Sequence, residues 1–276
     1  MVDLSIITVT HKRTALLLKK LETLSSQTLE LSRFELVLCI SGCPETYKAL
    51  TDIEVAFKLT VLNFEENIGQ SRGRNACAKK ASGHLLYLSD DDVLLFEDTL
   101  ERHLQFHEAK EQDCIAIGGA DFETQTDIER YRPMLAHYWN LQGMNSSLPT
   151  SLFEAAGGFP DWLNSYGHED VLLGYRLHKR GYPFHVIDAP VRHIGANPMR
   201  GTQPDKAKSA GKNAVQITAV HPELAYRLGV HPLLLGLKRL ALSPPLSYLW
   251  KRLNTDSYTY ERAYLTGALE ALKEKP

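Results

Sequence analysis

The sequence lacks the features that mark several classes of protein. Its four cysteines form no Cys-x-x-Cys pair and have no histidine at zinc-binding spacing, so neither a disulfide framework nor a zinc knuckle is expected. No apolar run approaches the roughly 20 residues that a membrane-spanning helix requires. The formal net charge is only -2, and no local basic patch is found. A nucleic-acid partner is therefore not expected.

The amino-terminal segment also lacks the basic residues of a signal peptide. Asp3 lies where such a peptide would carry positive charge, and a strand-like run starts at Leu4. We therefore expect a cytoplasmic protein, at the inner face of the membrane if its tail attaches there. The 276 residues, 43% hydrophobic and 23% charged, suit one large α/β domain with a smaller appendage.

Hydrophobic periodicity predicts strands that alternate with helices. Apolar and β-branched runs predict strands at residues 4–10, 34–40, 57–62, 84–88, 115–119 and 184–187. Apolar spacing of three and four predicts helices at residues 14–24, 96–110 and 171–179, with a further helix between residues 69 and 83. The polar segment 121–147 is long for a loop in a compact domain and is interpreted as a lid over an active site. Loop-type residues follow His193, so the core is expected to end near there.

Three adjacent carboxylates, Asp90, Asp91 and Asp92, come directly after the predicted strand 84–88. In open α/β sheets, ligands bind beyond the carboxyl ends of the strands. Adjacent carboxylates repel one another unless a cation or hydrogen-bond donors offset their charge, and Mg²⁺ or Mn²⁺ would do so. Taken alone, the triplet is more typical of a solvated turn or a helix N-cap. Glu169 and Asp170, just before a predicted helix, are likewise explained by N-terminal capping when taken alone.

The ordered set of motifs resembles the family 2 glycosyltransferases. The matching segments are residues 5–10 (SIITVT), 67–75 (NIGQSRGRN), 87–92 (YLSDDD), 145–147 (NSS), 153–159 (FEAAGGF), 167–170 (GHED), 175–177 (YRL) and 181–182 (GY). Each segment is common by itself, whereas their order over about 190 residues is specific. The resemblance implies a GT-A fold, which is a Rossmann-like α/β arrangement with a mixed, mostly parallel sheet flanked by helices. We expect this domain to span residues 1–212, with a helical C-terminal extension at 213–276.

The resemblance also implies an activity. It implies a metal-dependent, inverting hexosyltransferase that moves a sugar from a nucleotide-diphosphate donor, UDP-linked by default, to a hydroxyl of a glycan or lipid-linked acceptor. Asp90 would contact the ribose or the metal, while Asp91 and Asp92 would hold Mn²⁺ or Mg²⁺ and the diphosphate. His193 would complete the metal shell, since imidazole tolerates Mn²⁺ well. A structural histidine is the alternative at that position.

Further residues are carried over from the same resemblance. Asp170 would be the catalytic base that takes the proton from the acceptor hydroxyl, and Glu169 would orient the acceptor. The other expected acceptor-binding residues are Asn145, Trp162 and His168. Positive charge for the donor phosphates would come from Arg74 and Arg72, for which a solvated helix start is the alternative.

One segment departs from the family pattern. The second strand of relatives ends in an acidic pair that reads the nucleotide base, whereas here it ends Cys39-Ile40-Ser41-Gly42. The nucleotide is therefore left open. We expect the base to be held by backbone groups and by Thr8, Thr10, Arg13 and Ser41.

The C-terminal region combines apolar faces with paired basic residues. Residues 233–240 (LLLGLKRL) and 248–253 (YLWKRL) have the composition of an interfacial helix. Packing against the core or against a partner subunit in an oligomer explains the same pattern. Peripheral membrane contact is thus one of three interpretations of this region.

Two other classes of protein remain open at this point. A metal-dependent nucleotidyltransferase also uses carboxylates on an α/β sheet, but the glycine-rich basic signature expected after its first strand is replaced here by His11-Lys12-Arg13-Thr14. A non-catalytic, sugar-binding relative would not need the intact Asp91, Asp92 and Asp170.

Overall fold

The computed structural model describes residues 2–123, 128–163, 165–194 and 203–274. The chain divides into two units, which are described separately. The first comprises Met1–Asn164 and Asp170–Asn197, and the second comprises Ser165–Glu169 and Pro198–Pro276.

The first unit alternates strands and helices. Its elements are β1 (Leu4–Thr10), α1 (Thr14–Ser25), β2 (Phe34–Ser41), α2 (Pro44–Leu50), β3 (Lys58–Phe64), α3 (Gln70–Ala78), β4 (Leu85–Leu88), β5 (Val93–Leu95), α4 (Thr99–Glu108), β6 (Ile115–Ile117), β7 (Ala120–Glu123), β8 (Ile128–Tyr131), β9 (Ser146–Pro149), α5 (Thr150–Ala155), α6 (Glu169–Lys179), β10 (Phe184–Val186) and β11 (Val191–Ile194). A 3-10 turn spans Tyr138–Asn140.

Seven of the described strands form the main sheet, in the order β10-β6-β9-β4-β1-β2-β3. All neighbours pair in parallel except β9, which runs antiparallel to both β4 and β6. The central strands are buried on both faces, as near-continuous apolar runs require. Parallel register aligns Ile7 of β1 with Leu88 of β4, so both strands end at the same edge of the sheet.

Helix α3 lies unusually close to the sheet. A Cβ atom at Gly73 would meet the side chains of Val9 and Cys39, so the close approach requires glycine. The next residue, Arg74, is thereby brought to the edge where β1 and β4 end.

Four described strands form a second sheet, in the order β5-β11-β7-β8. Strand β11 pairs antiparallel with β5 and in parallel with β7, which aligns His193 with Val93 and Phe122. This pairing brings the end of the domain back to the strand that follows the acidic triplet.

The second unit is helical in its described part. It contains α7 (Pro204–Val220), a 3-10 turn at Pro222–Leu224, α8 (Pro232–Ala241), α9 (Leu246–Leu253) and α10 (Thr255–Lys273). Helices α7 and α10 pack backbone to backbone, because Cβ atoms at Gly211 and Gly267 would collide with main-chain atoms of the facing helix. Lys208 and Lys212 form ion pairs with Glu270 across the same contact.

The predicted α/β class with a mostly parallel sheet is confirmed, and so are the main strands and helices to within a few residues. Two features differ. The segment 121–147 is not one loop: β7 extends into it, and it contains β8 and the start of β9. β7 pairs with the distant β11 and with its neighbour β8, and β9 pairs with the distant β4 and β6. Helices α2 and α5 and strands β5 and β11 were not predicted. The domain boundary expected between residues 212 and 213 lies within α7 and stays a prediction.

Three further sequence observations can be compared with the structure. The loop expected after His193 lies largely in residues 195–202, outside the described part of the chain. The four cysteines are buried and free, as expected for structural thiols. Within the described residues, no helix combines the length and apolar character needed to cross a bilayer.

Candidate active site

The acidic triplet occupies the turn between β4 and β5, at the carboxyl edge of the main sheet. Asp91 and Asp92 are buried, and Asp90 is half-buried. Thr10, the last residue of β1, donates a hydrogen bond from Oγ1 to Asp91 Oδ2 at 2.8 Å. The ends of two parallel neighbours thus meet at this turn, and the triplet follows the end of β4, the position that the sequence predicted.

Arg13 bridges two of the three carboxylates. Its Nη1 lies 3.1 Å from Asp91 Oδ1 and 2.6 Å from Asp92 Oδ2. Its guanidinium remains partly exposed, and Arg13 lies in the short loop between β1 and α1. Arg13 therefore offsets part of the negative charge of Asp91 and Asp92, which adjacent buried carboxylates require from a cation or from hydrogen-bond donors.

A second cation lies beneath the turn, fully buried. Lys20 Nζ donates to Ser89 Oγ at 2.6 Å, to the Asp90 carbonyl at 3.0 Å and to the Val93 carbonyl at 3.3 Å. Three donors meet three acceptors, so the ammonium group is completely satisfied. Lys20 holds the backbone on both sides of the triplet in one conformation.

Burial shifts the ionisation of this cluster. Burial and the neighbouring charge of Asp92 raise the pKa of Asp91 to about 6, against the opposing effect of Arg13. Burial lowers the pKa of Lys20 to about 8, against the attraction of the three aspartates. The site concentrates negative charge that the surrounding protein only partly offsets.

Arg74 connects the triplet to the second acidic motif. Its Nη2 lies 2.6 Å from Asp90 Oδ1, and its Nη1 lies 3.1 Å from Asp170 Oδ1. The side chain is buried and lies 5.0 Å from the centre of the Phe159 ring. Gln70, at the first position of α3, donates to the same Asp90 oxygen at 2.9 Å. Two acidic motifs that are 80 residues apart in sequence therefore meet at one guanidinium.

Asp170 is fixed by two partners. Besides Arg74, the backbone N–H of Gly143 donates to its Oδ2 at 2.9 Å. A side chain at position 143 would collide with the Arg74 guanidinium, so the contact depends on glycine. Burial raises the pKa of Asp170, and the nearby Arg74 charge opposes the rise. A carboxylate with a raised pKa is a better proton acceptor near neutral pH.

His193 lies beside the last aspartate of the triplet. Its Nε2 is 3.5 Å from Asp92 Oδ1, and its buried Nδ1 has no hydrogen-bond partner among the described residues. The described chain offers no group of three or more histidine, cysteine, aspartate or glutamate side chains arranged to hold a metal ion. Mg²⁺ and Mn²⁺ at phosphate-binding sites commonly take only one or two protein ligands and complete their shell with phosphate and water oxygens. The Asp92–His193 pair fits such a donor-assisted site.

The residues predicted to hold the nucleotide differ in burial and in their hydrogen-bond partners. Thr8 is fully buried in β1 and its hydroxyl has no hydrogen-bond partner in the described structure. Ser41 Oγ is engaged with Asn67 and with the Ile68 N–H at the end of β2. Arg72 points to the Asp161 carbonyl at 3.1 Å and, unlike Arg74, makes no described contact with the triplet.

Asn145 is engaged in internal hydrogen bonds in this arrangement, and its contact with an acceptor stays a prediction. Its Nδ2 donates to the carbonyls of Gly119 and Ala189, and its Oδ1 accepts from Tyr87 and lies 3.0 Å from His103 Nε2. The residue is fully buried. An acceptor could reach this amide only by breaking those internal hydrogen bonds.

The other three acceptor candidates divide between the units. Trp162 is exposed in the first unit, where an aromatic face is available to a sugar ring. In the second unit, Glu169 Oε2 accepts from the Gly167 N–H at 3.0 Å, and His168 Nε2 lies 3.2 Å from the Tyr264 hydroxyl. Burial lowers the pKa of His168 to about 4, so its imidazole is neutral at physiological pH.

Sequence reasoning missed two contributors. Lys20 lies among Leu17, Leu21 and Leu24 on the apolar face of α1, and a lone charge at such a position is a detectable signal. Gly143 carried no signal, because its role depends on the approach of Arg74 from another element.

The fold and this site define a GT-A glycosyltransferase domain. The chain belongs to glycosyl transferase family 2, whose family model matches residues 5–160. This match confirms the resemblance that the motif order indicated.

Known proteins similar to this chain include both curated relatives and solved structures. A validoxylamine A glucosyltransferase from Streptomyces hygroscopicus subsp. jinggangensis (strain 5008) is 28% identical over 237 aligned residues, covering 68% of this chain and 55% of the relative. The chain spans about half the length of this relative and of a second validoxylamine A glucosyltransferase that it matches.

Among solved structures, the mannosyltransferase PcManGT from Pyrobaculum calidifontis, in complex with GDP-Man and Mn²⁺, aligns with a TM-score of 0.64 and 19% identity over 99% of this chain and 88% of that chain. S. aureus TarS 1-349 in complex with UDP-GlcNAc aligns with a TM-score of 0.60 and 16% identity over 98% and 92%. At these identities the likeness concerns the fold.

Proposed function

We propose that this protein is a metal-dependent, inverting glycosyltransferase that moves a sugar from a nucleoside-diphosphate donor to an acceptor hydroxyl. The observation that carries the proposal is the meeting of Asp90 and Asp170 at Arg74. Arg74 joins the acidic triplet, which lies at the ends of β1 and β4 where a donor diphosphate can bind, to Asp170. The raised pKa of Asp170 suits this carboxylate to act as a base.

The reaction balances as a single displacement. The acceptor oxygen forms a bond to the anomeric carbon as the bond from that carbon to the donor phosphate oxygen breaks on the opposite face. The acceptor proton passes to an Asp170 carboxylate oxygen, and the nucleoside diphosphate leaves with the electron pair. Inversion at the anomeric carbon follows from this geometry.

Residues of the triplet would hold the donor end. In the proposal, Asp91, Asp92 and His193 would hold Mn²⁺ or Mg²⁺, and Asp90 would contact the ribose or the metal. The bound ion would offset the charge that develops on the departing diphosphate. Arg13 and Arg74 would leave their carboxylate partners and bind the donor phosphates, since arginine forms bidentate pairs with phosphate as it does with carboxylate.

The nucleotide and acceptor are proposed only as classes. UDP is the default donor nucleotide, and GDP is the second choice because the similar PcManGT structure contains GDP-Man. The acceptor would be a glycan, a lipid-linked sugar or a hydroxylated small molecule of the validoxylamine type. We further propose that residues 1–212 carry donor binding and chemistry, and that the C-terminal region contacts an acceptor, a partner subunit or a membrane.

A thermal-shift panel of UDP- and GDP-sugars, each with and without Mn²⁺, tests donor binding. A shift that requires both nucleotide sugar and metal supports the proposal. Release of nucleoside diphosphate in the presence of an acceptor panel then tests transfer. In a parallel assay with nucleoside triphosphates and sugar 1-phosphates, release of pyrophosphate, with no nucleoside diphosphate released from the nucleotide sugars, would identify a nucleotidyltransferase instead.

Asp170→Asn tests the assignment of the base. The amide keeps the hydrogen-bond acceptor for Gly143 but cannot take a proton at neutral pH, so we expect transfer to fall by about 10²- to 10⁴-fold. The Mn²⁺-dependent thermal shift with donor should remain within a factor of a few in apparent affinity. Glu169→Gln is the matched control for charge loss at the neighbouring position. Unchanged turnover in Asp170→Asn rules out the base assignment.

A further inference from the structure

Helices α8 and α9 carry their apolar residues on the outside. In α8, Leu233, Leu237 and Leu240 recur at helical spacing and are all more than half exposed, with Leu233 at 60%. Residues at positions i, i+4 and i+7 lie on one face of a helix. A water-facing helix normally turns this stripe inward.

The opposite face of α8 is already occupied. Leu235 is buried, Lys238 Nζ lies 2.8 Å from Glu261 on α10, and the same ammonium lies 4.6 Å from the centre of the Tyr264 ring. These contacts fix α8 against α10. The exposed leucines therefore cannot turn inward without breaking them.

Helix α9 has no buried residue at all. Leu246, Leu249 and Leu253 form its apolar stripe, and Leu253 is 76% exposed. Tyr248, beside the stripe, is 73% exposed and carries an amphipathic ring of the kind enriched at bilayer interfaces. Six leucines on two consecutive helices thus lack cover within the second unit.

The charge of this segment has one sign. Residues 232–253 contain Lys238, Arg239, Lys251 and Arg252 and no aspartate or glutamate, a net charge of +4 in a chain whose net charge is -2. Arg239, Lys251 and Arg252 are exposed at the last turns of their helices. Exposed leucines flanked by exposed basic residues, in helices too short to span a bilayer, are the features of a helix that lies in an anionic lipid interface.

We propose that the α8–α9 segment, residues 232–253, binds the surface of an anionic membrane, with its leucines in the headgroup boundary and its basic residues against lipid phosphates. The charge argues for this occupant over a second copy of the same segment, since two copies face to face would bring together the exposed Arg239, Lys251 and Arg252 of each. The inference concerns a surface of the second unit and holds whatever sugar the first unit transfers.

Flotation of the full-length protein with vesicles tests the proposal. The probes are vesicles of phosphatidylcholine alone and of phosphatidylcholine with 30 mol% phosphatidylglycerol. We expect the wild type to float with the anionic vesicles and to partition far less onto the neutral ones. Raising the salt concentration to 0.5 M should weaken the binding, because screening removes the electrostatic part.

Two double variants separate the two contributions. Lys251→Gln with Arg252→Gln should lower the partition coefficient on anionic vesicles by about 25-fold, because each basic residue near such a surface contributes about fivefold. Leu249→Ser with Leu253→Ser should lower it at least tenfold. Both pairs are exposed, so neither variant should alter the circular dichroism or the melting temperature.

Matched controls lie elsewhere in the chain. Lys79→Gln with Lys80→Gln removes the same charge from an exposed site in the first unit, and Val220→Ser removes an exposed apolar side chain from the end of α7. Neither should change flotation. The proposal is overturned if the wild type does not float with anionic vesicles, or if the controls lower binding as much as the α8–α9 variants. It is also overturned if light scattering shows that the leucine variants abolish an oligomer while vesicle binding is unchanged.

Discussion

Asp91→Asn should stabilise the metal-free protein at neutral pH while it damages donor binding. Asp91 is buried between Asp92 and the end of β1, and its pKa rises from 3.8 to about 6. The native state therefore holds the proton of this carboxyl more tightly than the unfolded chain does. Ionisation at neutral pH costs folding free energy, and a neutral amide of the same shape avoids that cost.

The magnitude follows from the shift in pKa. A difference of about two units corresponds to about 3 kcal/mol at a pH well above 6. The stability associated with the protonated carboxyl is fully present below pH 3.8 and is lost as the pH rises through about 6. The advantage of the Asp91→Asn variant should accordingly be largest at pH 7.5 and should shrink towards pH 5.

The assay is the unfolding of wild type and Asp91→Asn in chelator at pH 7.5 and pH 5, followed by heat and by urea. A gain of about 3 kcal/mol corresponds to an increase in melting temperature on the order of 5 °C or more. Asp52→Asn, at an exposed site, is the control for a general change in net charge. With Mn²⁺ and a donor, the wild type should gain more stability than the variant, because the amide is a weaker metal ligand.

Two results would refute this reasoning. One is an Asp91→Asn variant that is less stable than the wild type at pH 7.5. That result would mean that the hydrogen bonds from Thr10 and Arg13 outweigh burial and repulsion. The other is a gain that is the same at both pH values, since a cost of ionisation must vanish as the carboxyl becomes protonated.

The remaining predictions concern buried polar groups that act at a distance from the substrate. Lys20→Met should destabilise the protein by about 3 kcal/mol, because three buried acceptors lose their donor, and should weaken Mn²⁺-dependent donor binding by about tenfold. The control is Lys19→Met, at an exposed position of the same helix. Equal donor affinity in both variants would contradict the positioning role of Lys20. Asn145→Ala should lower the free energy of unfolding, measured in urea, by about 3 kcal/mol because buried hydrogen bonds are lost, and should leave donor affinity unchanged. A variant that is as stable as the wild type but has a raised KM for the acceptor would instead support the predicted acceptor contact.

The main sheet was accessible from the sequence because its strands are local, strongly apolar runs. Residues 4–10 and 34–40 are buried on both faces, so their composition alone separates them from helices. The short strands β7, β8 and β9 gave no such signal. β7 pairs with β11, and β9 pairs with β4 and β6, partners that no window of sequence contains. β8 pairs with its neighbour β7 but is only four residues long, so the whole segment was interpreted as a loop.

The candidate site divides in the same way. The acidic triplet and its position at a strand end could be predicted, since both depend on adjacent residues. The role of Asn145 could not, because its hydrogen-bond partners come from four separate parts of the chain. An asparagine in a family motif has the same sequence signature whether it meets a ligand or the core.

The sequence by itself determined the family, the α/β class and the strand-end position of the carboxylates, because periodicity and motif order are written in neighbouring residues. Only the tertiary structure decided which cations meet those carboxylates. Arg13 and Lys20 reach the triplet from the loop after β1 and from α1, and Arg74 joins it to Asp170 across the gap that Gly143 leaves open. Such contacts depend on the packing of distant elements, which no local pattern of residues records.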